Sequence, residues 1–251
     1  MDWRVFLAAV TGGHHLDQDS PCQDFACHEV HNGLLVGVVC DGAGSASAGG
    51  VGAEFFATEV TRLLAAAFTA EGLPQDDAEA AYRERIALLL SEARATLEAR
   101  IAPPLTLRDH ACTLVGCLAS RSGGAFFHIG DGFAVQQPRA GTTILSPPEN
   151  GEYANETYFV TDADWQAHLR VTLLTPLQQG DLIGLMSDGT SAFAIDRQKT
   201  GFYKPFIDPV ASFLQQANAA TGNAALQNLL ESEKTLQITR DDKALLLAFV
   251  G

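Results

Sequence analysis

Residues 38–50 read VVCDGAGSASAGG, and the fold turns on how they are read. An apolar run ends on Asp41, breaks into glycines, and passes into a helical pattern. Strand, glycine-rich loop and helix in that order make the phosphate cradle of nucleotide-binding proteins. The same order can present an aspartate at a strand end, with the glycines only as the means of doing so. The first reading brings a parallel sheet with it; the second does not.

The cradle fails on its own residues. A P-loop requires G-x-x-x-x-G-K-[ST]. Gly44 and Gly49 have that spacing, but Gly50 stands where the lysine belongs, so the positive charge on the terminal phosphates is missing. A dinucleotide fingerprint requires G-x-G-x-x-G. Gly42 and Gly44 fit, and Ser47 takes the place of the last glycine.

Working outward, the β-α-β rhythm of a parallel sheet is also lacking. Residues 4–10 read as a strand. Residues 24–30 and 34–40 read as a hairpin that turns at His31-Asn32-Gly33. Two helices follow. Residues 51–68 carry Phe55, Val60, Leu63, Leu64 and Phe68 near the helical period; residues 76–101 carry Tyr82, Ile86, Leu89, Leu90 and Leu97. Gly72-Leu73-Pro74 and Pro103-Pro104 end them. Strands are expected at 112–120, 124–129, 133–136, 142–145, 157–161, 169–174 and 181–186. Helices are expected at 205–219 and 223–232. The apolar run KALLLAFV at 243–250 reads as a last, buried strand. No repeat and no linker divides the chain, so residues 1–251 read as one α+β domain whose sheets lie between helices.

Hydrophobic residues make up 47% and charged residues 18%, which suits a packed core and excludes a disordered chain. Thirty acidic against 16 basic side chains give a net charge of −14. Such a surface repels phosphate backbones and anionic lipid, so neither nucleic acid nor membrane is expected as a partner. No apolar run is long enough to span a bilayer, and the apolar stretch 5–10 is too short for a secretion leader. Cys22, Cys27, Cys40, Cys112 and Cys117 make an odd count, which favours reduced thiols and a cytoplasmic location. Two pairs are spaced C-x4-C. In a strand, residues five apart point to opposite faces, so core thiols are expected rather than a metal site.

Asp41 has counterparts. Asp24 opens a strand, Asp131 and Asp188 follow apolar strands, and Asp241 and Asp242 precede KALLLAFV. Three occur as Asp-Gly: Asp41-Gly42, Asp131-Gly132 and Asp188-Gly189. Aspartate and glycine are ordinary turn residues, which explains any one of these sites. Five at strand ends ask for more. Brought together, the carboxylates would repel unless cations lay between them. Oxygen-only donors suit Mg²⁺ or Mn²⁺, and a paired-cation site can activate water and clamp a phosphoryl group.

The ordered set CQDFA, GVVCDGAGS, ACTLVGCLAS with AFFHIGDGFAVQ, LIGLMSDGTSAF and TRDDKALLLAFV resembles the metal-dependent Ser/Thr protein phosphatases of the type 2C (PPM) family. GEYANETYF (151–159) is similar to its compact bacterial branch. The resemblance implies a four-layer αββα sandwich, two antiparallel sheets flanked by helices. It implies hydrolysis of phosphoserine or phosphothreonine in proteins by a hydroxide bridging two divalent cations, Mn²⁺ or Mg²⁺. On it, Asp41 bridges the two ions, Asp188 and Asp241 complete one shell, and the Gly42 carbonyl binds the other ion. Asp24 orients waters from the second shell, and Asp131 answers to a weaker third ion. A phosphorylated protein substrate and a cognate Ser/Thr kinase are the implied partners.

The match departs at three positions and in one segment. Asp19 stands where the family has a phosphate-binding arginine, with His14, His15 or Arg108 as substitutes and His15 the one singled out. Gln23 replaces a glutamate, and Asp242 an asparagine. The segment between Asp131 and Asp188 matches poorly. These departures keep two rivals open: a catalytically weak regulatory or binding module on the same fold, and a hydrolase of small phosphoesters.

Overall fold

The computed structural model describes residues 2–74, 78–149 and 157–251. Ten strands run β1 (Trp3–Val10), β2 (Asp24–His31), β3 (Leu34–Asp41), β4 (Leu114–Ser120), β5 (Gly123–Ile129), β6 (Phe133–Gln137), β7 (Ile144–Ser146), β8 (Arg170–Leu174), β9 (Leu182–Met186) and β10 (Lys243–Val250). The helices among the described residues are α1 (Gly13–Asp17), α2 (Gly49–Glu71), α3 (Ala78–Glu98), α4 (Trp165–His168), α5 (Asp188–Ala194), α6 (Lys204–Leu214), α7 (Ala219–Leu230) and α8 (Glu233–Ile238), with a 3-10 turn at Leu107–His110.

Two antiparallel five-stranded sheets result, ordered β1-β10-β9-β6-β7 and β2-β3-β4-β5-β8. The alternation of side chains along each strand sorts them into three cores. Val39, Val115, Cys117 and Phe126 of the second sheet meet Ile183, Leu185, Leu246 and Ala248 of the first between the sheets. Val36, Val38, Leu118 and Phe127 face outward onto Phe56, Leu64, Ile86 and Leu90 of α2 and α3. Leu245, Leu247 and Phe249 face the other way, onto Phe193, Ile207, Leu214 and Leu226 of α5–α7. Four layers, α-β-β-α, are therefore present, as expected. With both faces covered, β10 has no polar side to show, which is why KALLLAFV reads as an unbroken apolar run. No described helix is long and apolar enough to cross a membrane.

The differences from expectation are local. Residues 157–161 form no strand: Phe159 N–H donates to the Asp162 carboxylate at 2.7 Å and Val160 N–H to the Cys112 carbonyl at 2.9 Å, so an Asp-centred turn takes the backbone. Cys112 lies outside β4, in a single bridge to Gly42. Residues 205–219 hold two helices, broken between Leu214 and Ala219. Residues 151–156 of GEYANETYF, and residue 76 at the expected helix start, lie outside the described residues. All five cysteines are free, and Cys40, Cys112 and Cys117 are buried in the core.

Candidate metal centre

Both sheets bring acids to one end of the sandwich. Asp41 is the last residue of β3 and pairs across the ladder with Asp24, the first of β2. Thr113 fixes Asp41 from the other side: its N–H donates to the Asp41 carbonyl at 2.8 Å, and its Oγ1 accepts from Asp41 N–H at 3.2 Å. Asp131 sits in the β5–β6 turn behind Gly130, whose φ of +104° is a conformation suited to glycine. Thr157 Oγ1 donates to Asp131 Oδ2 at 2.6 Å. Asp188 follows β9 and starts α5. One carboxylate oxygen from each of Asp41, Asp131 and Asp188 lies within 4.8 Å of the other two.

The glycine loop that opened the question serves packing. A Cβ on Gly42 would come to 2.4 Å from the Gly49 carbonyl carbon, so the chain folds back on itself between Asp41 and α2 only because both positions are bare. Gly42 N–H donates to Gln23 O at 3.0 Å. Gly189 is held in the same way: a Cβ there would lie 2.1 Å from the Asp242 carbonyl oxygen, which is how Asp188 and the residues before β10 come so close.

The electrostatics are those of carboxylates short of positive charge. Asp24 is 4% exposed, and the only side chains near enough to bond its carboxyl among the described residues are the Ser187 hydroxyl and Asp41 itself. Burial pushes its carboxyl up to about 8; nearby Ser187 pulls it back, and Asp242 and Asp188 push it further up. Burial, then Asp24, Asp188 and Asp131, hold the Asp41 carboxyl well above the usual carboxylate range. Burial, then Asp131 and Asp241, raise Asp188 to about 6. Buried groups of like charge that resist ionising together are the surroundings in which a divalent cation is welcome. An all-oxygen donor set suits a hard one.

Asp241 stands outside the group of three. It is exposed, its N–H bonds to Thr239 Oγ1 at 3.1 Å, and its charge reaches Asp188. Asp242 turns the other way. Its Oδ1 accepts from Gly12 N–H at 2.6 Å and its Oδ2 from Gln23 N–H at 2.6 Å, with His15 Nδ1 2.8 Å from Oδ2. His15 is thus tied to Asp242 through one ring nitrogen. Arg108 is exposed on the 3-10 turn, and Asp19 is exposed in a left-handed conformation with φ of +52°. Gln23 Oε1 is buried without a partner.

Sequence reasoning passed over Thr113, Thr157, Ser187 and Lys243. Thr113 and Thr157 are hydroxyls that only the fold brings to Asp41 and Asp131, and Ser187, next to Asp188 in sequence, meets Asp24 only through the fold. Lys243 is fully buried, and its place at the head of KALLLAFV carries no mark of that.

The family model described as Protein phosphatase 2C matches residues 11–231. The chain is 31% identical to Serine/threonine-protein phosphatase 3 of Escherichia coli (strain K12), over 99% of this chain and 98% of that protein. Among solved structures it is similar to the S. agalactiae serine/threonine phosphatase (TM-score 0.63, 15% identity, all of both chains). A bacterial serine phosphatase is similar as well (TM-score 0.64, 18% identity, 100% of this chain and 98% of the other).

Proposed function

The chain belongs to the protein phosphatase 2C family, and on that premise we propose that it removes phosphate from phosphoserine and phosphothreonine in proteins, with Mn²⁺ or Mg²⁺ held at the Asp41 end of the sandwich. The observation that carries this reading is the convergence of Asp41, Asp131 and Asp188 within 4.8 Å, backed by a buried Asp24 paired across the ladder with Asp41. A pair of divalent cations there supplies Lewis acidity, which makes water acidic enough to attack phosphorus at neutral pH and neutralises the phosphoryl oxygens.

The chain's own residues divide the work. Asp41, Asp188, Asp241 and the Gly42 carbonyl would hold two ions, with Asp41 as the shared ligand. Asp24, paired across the ladder with Asp41, would orient water. Asp131, steadied by the Thr157 hydroxyl, would hold a third, weaker ion. With Nδ1 on Asp242, His15 has only Nε2 to offer a substrate phosphate. Residues 1–251 act as one catalytic domain in this reading, which works in the cytoplasm opposite a Ser/Thr kinase.

The test is phosphate release from a phosphothreonine peptide by protein stripped with a chelator. Release is expected only after Mn²⁺ or Mg²⁺ is returned. Release that ignores the chelator, or none with either ion, contradicts the reading.

A further inference from the structure

Asp131 is placed differently from its two neighbours in the metal centre. Asp41 ends a strand and Asp188 starts a helix, whereas Asp131 sits in the turn between β5 and β6. Its position therefore depends on what grips that turn. Thr157 holds the side chain. The backbone is held one residue earlier, where Glu149 N–H donates to the Gly130 carbonyl at 2.9 Å.

Glu149 is itself held. Its Oε2 forms an ion pair with Arg170 Nε at 3.0 Å. Both atoms are buried, and neither has another polar partner among the described residues. Arg170 lies on β8, the edge strand of its sheet, and pairs across the ladder with His128 of β5. Its Nη2 is 3.1 Å from His128 Nδ1. A guanidinium only donates, so Nδ1 is the acceptor. The Ser146 hydroxyl, 3.1 Å from the same nitrogen, donates to it as well. Burial, and then the charge of Arg170, hold the His128 pKa well below the usual histidine range, so the ring stays neutral. The guanidinium thus ties β5 and β8 of one sheet to Ser146 of β7 in the other, and to Glu149 just beyond it.

We propose that Arg170 is a positioning residue: its fork clamps Glu149 against the Gly130–Asp131 turn and so fixes the Asp131 carboxylate where the weaker ion needs it. Arginine suits the task because one rigid, planar group reaches a carboxylate and an imidazole at once. On a loose turn, the carboxylate would be in place only part of the time, and the ion's affinity would fall by that fraction. The inference rests on the metal-centre reading for its ion; the clamp belongs to the metal-free fold.

Residue-resolved amide hydrogen exchange on metal-free protein, beside Mn²⁺ calorimetry, tests it on Arg170→Met, Asp131→Asn and the double variant. Arg170→Met should speed exchange of the Glu149 amide about fivefold and leave the β10 amides as in wild type. It should weaken the weakest Mn²⁺ site about fivefold and leave tighter sites unchanged. In the Asp131→Asn background it should change Mn²⁺ binding no further. Glu149→Gln keeps the backbone donor and removes only the charge; it should act in the same direction, and it carries the test if Arg170→Met does not fold. A Glu149 amide that exchanges as in wild type, or faster exchange shared equally by β10, overturns the proposal. So does Mn²⁺ binding that Arg170→Met leaves unchanged, or a loss that persists in full beside Asp131→Asn. Wild-type protein that binds no Mn²⁺ would overturn the proposed function instead, and the exchange rates would still decide whether Arg170 holds the turn.

Discussion

Asp188 at the end of β9 and Asp242 at the start of the adjoining β10 carry the same side chain into different surroundings. Asp188 shares a space with Asp41 and Asp131, in which burial and like charge resist ionisation and the Thr157 hydroxyl supplies a hydrogen bond to Asp131. Asp242 is closed off by two backbone N–H groups and a histidine. Asp242 is buried and Asp188 half-buried. What separates them is the supply of donors: a saturated carboxylate ties segments of chain together, and an unsaturated group of carboxylates is left with capacity for an ion. The fold sets the two side by side: a Cβ on Gly189 would lie 2.1 Å from the Asp242 carbonyl oxygen.

The largest break in this contrast should come from Asp41→Asn. It removes the charge at the centre of the unsaturated group, so phosphopeptide turnover should fall by about 10³-fold, while metal-free stability stays level or rises because a repulsive charge is gone. A large loss of stability, measured by urea unfolding, would mean that Asp41 acts like Asp242. Asp242→Ala should do the reverse. It strands Gly12 N–H and Gln23 N–H and frees His15, so stability should drop by about 3 kcal/mol; a variant as stable as wild type would break the comparison from the other side.

Asp24→Asn is expected to fall between them, weakening Mn²⁺ binding by about 10- to 100-fold with little effect on metal-free stability. Calorimetry beside a thermal melt checks both halves. A gentler probe is pH. Asp24 and Asp188 are raised to about 8 and about 6 from an ordinary value of 3.8. Asp41 is raised in the same direction, so from about pH 4 upward the folded, metal-free protein holds more protons than the unfolded chain, and its stability should fall as pH rises from about 4 to about 8. Saturating Mn²⁺ should offset the fall, increasingly so at the upper end. A metal-free stability that climbs with pH would mean that the group already has its counter-charge.

Much of this was readable from the sequence, and the reasons differ by region. β10 and α2 announce themselves because burial on both faces, or on one stripe, imposes an apolar run or a helical period. The short helices α1, α5 and α8 carry no such signal, since fewer than two turns cannot show a period. Residues 157–161 are all β-branched or aromatic, as strands favour, and Asp162 captures the backbone instead. Asp41, Asp131 and Asp188 stood out because Asp-Gly at a strand end is a local pattern. The saturated half did not stand out. His15 and Asp242 are 227 residues apart in sequence, and a lysine leading an apolar strand looks exposed until the fold encloses it.

Crystals soaked in Mn²⁺ and measured at the manganese edge would test the central contrast most directly. The account predicts two strong anomalous peaks bridged by Asp41, with Asp188 on one of them and none at Asp242. A map with no peak at Asp41, or with manganese seated against Asp242, would contradict it.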